Sequence, residues 1–282
     1  MNFHFASATR GNNELSNDQL FRVAPSIFAT EAHESRSAKF RPIPTIEVLD
    51  GLRAQGFVPV SAKQGGTRVP GKANFTKHAV RLRHIGEAGR KLQVGDTFFE
   101  IVLRNGNDGT SAYHLNAGLF RLACLNGLTV SEGEIDRVSV RHSGDVTSKV
   151  IEGTFTVLNN AEVALAAPQD WAQIQLPREA QLALATEAHR VRFADSDGNI
   201  NTPVRPEQLL NVRRFDDRQN DLWQVWNRVQ ENVIKGGISA FNADTRRNTT
   251  TREIKGIDDD ARINKALWDL GRSLAGGFRA AA

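Results

Sequence analysis

The chain has 282 residues, 40% hydrophobic and 24% charged, a composition typical of a globular protein and not of a disordered or low-complexity one. No apolar run approaches the roughly 18–20 residues of a membrane span, and the first residues lack the basic start and apolar stretch of a secretory signal. A single cysteine, Cys124, excludes an internal disulfide framework and a cysteine-based zinc cluster, so we expect a protein of the reducing cytoplasm.

Positive charge is concentrated in one fifth of the chain. Residues 36–91 contain twelve Lys and Arg against three Asp and Glu, a formal charge of +9, whereas the whole chain carries only +4. Such a segment forms either a solvated basic face or a binding surface for a polyanion. Nucleic acid is the commonest polyanionic partner, and a membrane surface is less favoured because no lipidation signal or basic amphipathic helix is evident.

The first predicted elements follow from residues that break or cap helices. Residues 1–44 are polar and contain three prolines, so we predict an irregular N-terminal arm that wraps a neighbouring subunit or stays mobile. Thr45 is the predicted N-cap of a helix over 46–55, which ends at Gly56.

The basic segment continues as strands. We predict a strand over 57–62, a Gly- and Pro-rich loop over 64–72, and a strand over 75–85. In this last strand, His78, Val80, Leu82 and His84 share one face, whereas the other face carries Lys77, Arg81 and Arg83. Same-face positions recur in steps of about 6–7 Å, close to the phosphate spacing of a single strand, and these three cations lie at such positions.

A third strand is predicted over 97–104, followed by a turn cluster at 105–111. Leu115, Leu119 and Leu122 then have helical spacing, which predicts a helix over 112–126, capped by Ser111 and ended by Gly127. The order helix, three strands, helix predicts an α+β fold: an antiparallel β-meander with flanking helices.

The rest of the chain changes character. Further strands are predicted near 135–141 and 149–158, then helices over 160–173, 177–193, 216–234 and 258–274. Trp223, Trp226 and Trp268 fall on helical stripes that favour burial. We therefore divide the chain into an N-terminal arm (1–44), an α+β nucleic-acid-binding core (45–158) and a helical C-terminal region (159–282).

No motif indicates an enzyme. The Gly-rich loop lacks the Gly-Lys-Ser/Thr ending of a phosphate-binding P-loop, and Cys124 is expected to be a buried, inert thiol. The stretch 195–199 favours a plain turn over a calcium loop. A metal-dependent nuclease that uses Asp195 and Asp197 remains an alternative, but no cofactor is expected.

The stretch Asn105-Gly106-Asn107-Asp108-Gly109-Thr110-Ser111, followed by Gly118 to Leu128 with Arg121, Cys124, Asn126 and Gly127, resembles a family hallmark. It is similar to the phage- and plasmid-associated domain-of-unknown-function family nine-three-two, over about Thr45 to the C-terminus. The resemblance implies a mobile-element or bacterial accessory protein, but it supplies no activity and no catalytic residues.

The element order is also similar to that of single-strand annealing proteins of the Rad-fifty-two type. This second resemblance implies a ring or filament of identical subunits that holds DNA along a positive groove. It is an analogy of topology, and topology alone does not establish function.

These observations predict a non-enzymatic protein that binds single-stranded DNA and promotes strand annealing in mobile-element recombination. The predicted phosphate contacts are Arg53, Lys63, Arg68, Lys72, Lys77, Arg81, Arg83 and Arg121, and the predicted base-stacking residues are Phe75 and Tyr113. Asp108 and Asn126 are expected to shape the turn and helix exit. Besides the nuclease, a protein-binding module that inhibits a host defence system remains an alternative.

Overall fold

A computed structural model describes residues 9–10, 13–37, 40–86, 97–121, 128–129, 138–140, 149, 152–153, 166–243 and 245–281. The chain divides into two compact units. The first comprises Met1–Ala123 and Thr129–Glu162, and the second comprises Cys124–Leu128 and Val163–Ala282. The class is α+β, as predicted.

An antiparallel sheet forms most of the first unit. Strands β1 to β5 lie side by side in chain order, and β7 also pairs with β5. The described strands are β1 (Thr9–Arg10), β2 (Phe57–Gln64), β3 (His78–His84), β4 (Thr97–Asn105), β5 (Tyr113–Arg121), β6 (Leu128–Thr129) and β7 (Val138–Val140). The predicted meander is therefore confirmed for β2, β3 and β4, with β5 as a fourth strand.

Two helices cover one face of this sheet. They are α1 (Asn17–Val23) and α2 (Thr45–Ala54), and a 3-10 turn at Pro25–Phe28 follows α1. Ser16 and Gln19 start α1 with a capping box. The N-terminal stretch thus differs from the predicted irregular arm, because its apolar residues belong to the core of the unit; that core includes Leu15, Leu20, Val23, Ile27, Leu49, Leu52, Val80, Leu82, Ile101, Leu103, Tyr113 and Leu115.

The ends of α2 correct one prediction and confirm another. Thr45 is the first helical residue and not the N-cap, since Pro44 holds that position and the Thr45 hydroxyl lies 2.8 Å from Nε2 of His78. Gly56 has φ +84°, the left-handed conformation expected after a helix, and it leads directly into β2.

The predicted helix over 112–126 is wrong. Residues 113–121 form β5, which pairs with β4 from Thr97↔Arg121 to Arg104↔His114. The leucines at 115 and 119 satisfy a two-residue period as well as a helical one, and the neighbouring strand provides the ladder of backbone hydrogen bonds that decides between them. Ser111 does not cap a helix; its hydroxyl donates to the Ala112 carbonyl. Cys124, Asn126 and Gly127 lie outside the described residues.

Two later strand predictions have different outcomes. The strand predicted near 135–141 contains β7, whereas Lys149, Glu152 and Gly153, which belong to the predicted strand 149–158, are helical. The remaining residues of 149–158 lie outside the described part of the chain.

The second unit is mainly helical. It contains a helical segment at 166–172 and the helices α3 (Arg178–Phe193), α4 (Leu222–Lys235) and α5 (Ile257–Ala281), with a hairpin of β8 (Ser239–Asn242) and β9 (Arg247–Thr250) between the last two helices. Trp223, Trp226 and Trp268 are buried, as predicted, and Trp171 packs against all three with ring centroids 4.6–6.1 Å apart. Within the described ranges, no helix is long and apolar enough to cross a membrane.

Candidate nucleic-acid interface

The turn after β4 is tied to the N-terminal segment by two buried asparagines. The Asn105 side chain donates to the Ile43 carbonyl and the Thr45 hydroxyl, at 3.0 and 2.9 Å. Asn107 donates to the Ala29 carbonyl and accepts from the Ile43 amide, at 3.1 and 3.2 Å. The motif that carries the family resemblance is therefore structural at these positions, because it fixes Ala29, Ile43 and Thr45 against the end of the sheet.

Asp108 and Gly109 complete this turn. The Asp108 carboxylate accepts from the amide and hydroxyl of Thr110 and lies 3.3 Å from the Lys72 ammonium. Burial alone raises the pKa of Asp108, but the bonds from Thr110 and the charge of Lys72 outweigh it and lower the pKa. Gly109 has φ +75°, and a Cβ there would overlap the Arg36 side chain.

Behind the turn lies a chain of buried polar groups centred on His78. Its Nδ1 lies 2.8 Å from the Ser26 hydroxyl and its Nε2 lies 2.8 Å from the Thr45 hydroxyl. Because Asn105 donates to Thr45, the Thr45 hydroxyl is available to donate to Nε2, which fits a neutral imidazole. Burial lowers the pKa of His78 to about 4, so this histidine is uncharged at neutral pH.

A loop that contains four of the predicted phosphate contacts lies against the same turn. We name residues 63–77 the cationic loop; they carry Lys63, Arg68, Lys72 and Lys77 and no acidic residue. The Gly65 amide donates to the Lys77 carbonyl, and Gln64 donates to the Ala73 carbonyl, which closes the loop at its base. A Cβ on Gly106 would lie 3.2 Å from the Lys77 Cα, so the loop and the motif turn are in direct contact.

An aromatic cleft adjoins this loop. Phe75, half-buried at the end of the cationic loop, lines a cavity of about 250 Å³ whose walls also include Phe21, Phe28 and Asn74, with Glu31 as its acidic member. Phe75 packs edge-on against His33 and Phe21 packs edge-on against Phe28, with centroid distances of 5.4 and 5.5 Å. Phe21 is 58% exposed. We call the set Phe21, Phe28 and Phe75 the aromatic cleft.

Two predicted phosphate contacts are paired with one carboxylate of the protein. Arg81 and Arg83 lie on the same face of β3, as predicted, but both bind the carboxylate of Glu100 on β4. Glu100 is fully buried and Arg83 is 3% exposed. A buried carboxylate needs such partners, so Arg83 is part of an internal ion-pair cluster and does not present its charge to a ligand. The sequence carried no signal for this pairing, because it depends on strand register.

Three further predicted contacts have mixed outcomes. Arg53 binds the carboxylates of Glu14 and Asp50, which reduces the positive electrostatic field around its guanidinium. Tyr113 has no exposed surface, so its ring packs in the core and is not a base-stacking platform. Arg121 is the last residue of β5, and its side chain lies outside the described part of the structure. The site prediction missed Phe21 and Phe28, although the Ser16-x-x-Gln19 capping box signalled a helix in that region.

The alternative nuclease residues lie in an exposed turn. Asp195 accepts hydrogen bonds from the backbone amides of Asp197 and Asn199, and Gly198 has φ +83°. This is the bonding of an Asx turn. In the described ranges, no group of three or more His, Cys, Asp and Glu side chains is arranged to hold a metal ion.

Comparison with known proteins agrees on one family. The model for the domain of unknown function DUF932 matches residues 32–268. Two proteins of Escherichia coli K12, the UPF0380 proteins YafZ and YfjQ, are each 42% identical to this chain over 272 residues, which is 96% of this chain and 96% of theirs. No solved structure matches significantly.

Proposed function

The chain belongs to the DUF932 family, whose description assigns no activity, and from the geometry of the cationic loop and the aromatic cleft we propose that it binds single-stranded DNA and promotes strand annealing. In this proposal the protein is cytoplasmic, comes from a phage, plasmid or other mobile element, and acts in recombination as a ring or filament of identical subunits. No catalytic group and no cofactor is part of it.

One observation carries the proposal: a half-buried aromatic ring lies at the end of a loop that contains four cations and no acid. Phe75 connects the cationic loop to the aromatic cleft. Single-strand binding proteins combine a positive track for phosphates with aromatic faces for unpaired bases. In this arrangement the four cations of the loop bind phosphates, Phe75 contacts a base, and Glu31 accepts from a base amino group.

Annealing needs no nucleotide hydrolysis. Cations that neutralise the phosphates reduce the repulsion between two strands, and the stacking of the new duplex, about 1.4 kcal/mol per step, drives the reaction. A multimer brings several such tracks together. The aromatic cleft then holds bases loosely enough to be released into the duplex.

A stacking variant tests the proposal. The Phe75→Ala variant is titrated against a labelled single-stranded oligonucleotide at low salt, and its annealing of two complementary strands is followed without ATP. Because base stacking is worth about 1–3 kcal/mol, we expect affinity to fall by roughly 5- to 150-fold. The matched control is Phe215→Ala, a ring that is 75% exposed in the second unit, and we expect it to bind like the parent protein.

Two results would contradict the proposal. One is equal affinity of the Phe75→Ala variant and the parent chain for the oligonucleotide. The other is cleavage of the oligonucleotide in Mg²⁺ or Mn²⁺ that disappears in the Asp197→Asn variant, which would make the protein a nuclease.

A further inference from the structure

The second unit carries an exposed β-hairpin that none of the activities above requires. Strands β8 and β9 pair from Ser239↔Thr250 to Asn242↔Arg247, and every residue of β9 is exposed. Phe241 is 61% exposed and lies opposite Asn248. An isolated two-stranded hairpin is only marginally stable, so a chain that keeps one exposed must hold it at its base.

The base of the hairpin is firmly anchored. The Gly237 amide donates to the Thr251 carbonyl and the Thr251 amide donates to the Ile238 carbonyl, while the Ile254 amide donates to the Ile234 carbonyl at the end of α4. Gly236 has φ +61°, and a Cβ there would come within 2.7 Å of the Arg252 carbonyl. Arg213 donates to the Gly236 carbonyl, and Gln208 donates to the Ser239 carbonyl. We call this hairpin, Ser239–Thr250, the arm; its base is held in place by these hydrogen bonds.

The outer end of this arm is basic and polar. Arg246, with φ +51°, ends the turn, and Arg247 begins β9. Within the described residues, neither guanidinium has a hydrogen-bond or ion-pair partner in the protein. From Ser239 to Arg252 the sequence contains three arginines and one acid, Asp244, and the exposed side chains of β9 after Arg247 are Asn248, Thr249 and Thr250.

We propose that this arm binds duplex DNA by lying in a groove. Two paired strands are about 4.8 Å apart, and the major groove, about 12 Å wide, admits a two-stranded ribbon. Arg, Asn and Thr are side chains that bond phosphates and base edges. A second copy of the chain is the less favourable occupant, because residues 239–252 of each copy carry three arginines and one acid, so two arms repel one another.

This inference deepens the proposed function and takes DNA as the ligand from it. The aromatic cleft holds the single strands, and the arm holds the duplex that annealing produces. The two surfaces lie in different units and can be tested by different variants.

Anisotropy titrations of a labelled duplex and a labelled single strand of equal length separate the two surfaces. For Arg246→Glu/Arg247→Glu, we expect duplex affinity to fall by about tenfold or more, and the log–log salt slope to become shallower by about 2, since each phosphate contact contributes about 0.9. Single-strand affinity should stay within about twofold. The control, Arg190→Glu/Arg262→Glu, changes the net charge equally at two helix positions that are 62% and 61% exposed.

The arm proposal is overturned if the parent chain does not bind the duplex at low salt, if the arm variant binds it like the parent, or if the control variant loses as much. A change in particle mass of the arm variant, measured by light scattering, also overturns it, because the hairpin would then join two copies. If the parent binds duplex through the arm but no single strand, the arm stands and the single-strand function fails.

Discussion

At the scale of single residues, His78 shows how a polar group is used inside the first unit. The sequence placed it on the same strand face as Val80 and Leu82, and all three are buried there. Its partners were not predictable, because Ser26 and Thr45 lie 52 and 33 residues away in the chain. The sequence indicated the face but not the network that occupies it.

This environment predicts a pH-dependent stability. His78 is protonated near pH 6.5 when unfolded but only near pH 4 when folded, so the unfolded state binds more protons between these values and stability falls as the pH drops through that window. Between pH 7 and pH 5 the loss is about 2 kcal/mol. Urea unfolding at both pH values should show this loss of unfolding free energy in the parent chain and not in the His78→Gln variant. If the unfolding free energies of the two proteins depended on pH in the same way, the assignment to His78 would be refuted.

Tyr113 gives a second prediction at this scale. Burial raises the pKa of its hydroxyl well above the usual value, and the oxygen has no hydrogen-bond partner in the part of the chain that the structure describes. Burial of an unsatisfied hydroxyl costs free energy, so Tyr113→Phe should leave stability unchanged or raise it by up to about 1 kcal/mol. Thermal unfolding measures the effect, and a marked loss of stability would reveal a partner for the hydroxyl.

At the scale of elements, the residue patterns correctly predicted β2, β3, β4 and α2, whereas β5 was wrongly predicted to be a helix. The strands were predictable because apolar and charged residues alternate along them, as in β3. The error at β5 arose where a leucine spacing was compatible with both periods, and only the neighbouring strand β4 resolves it. The register of β3 against β4 likewise brings Glu100 within reach of both Arg81 and Arg83, and no local sequence pattern contains this pairing.

The pairing of β3 with β4 therefore has an electrostatic component that can be measured. Glu100→Gln removes the carboxylate shared by two arginines, one of them buried, and should reduce the free energy of unfolding by about 3–5 kcal/mol. The matched control is Glu14→Gln, which removes the exposed partner of Arg53 and should cost less than about 1 kcal/mol. Equal effects of the two variants in urea unfolding would show that the cluster contributes little.

At the scale of the whole molecule, folding pairs part of the positive charge of the basic segment with carboxylates of the protein. Arg83 is buried with Glu100, and Arg53 is bound to Glu14 and Asp50. Net charge is visible in a sequence, whereas the pairing that reduces it depends on tertiary structure. The proposed single-strand surface is accordingly smaller than the predicted track, and it gains Phe21 and Phe28, which were not among the predicted site residues.

The salt dependence of single-strand binding tests this account most directly. With about 0.7 per phosphate contact, the four cations of the cationic loop predict a log–log slope near −3. Titrating a labelled single-stranded oligonucleotide between about 50 and 200 mM salt should give this slope. Absence of binding at the lowest salt, or a slope near zero, would contradict the proposal that the cationic loop binds single-stranded DNA.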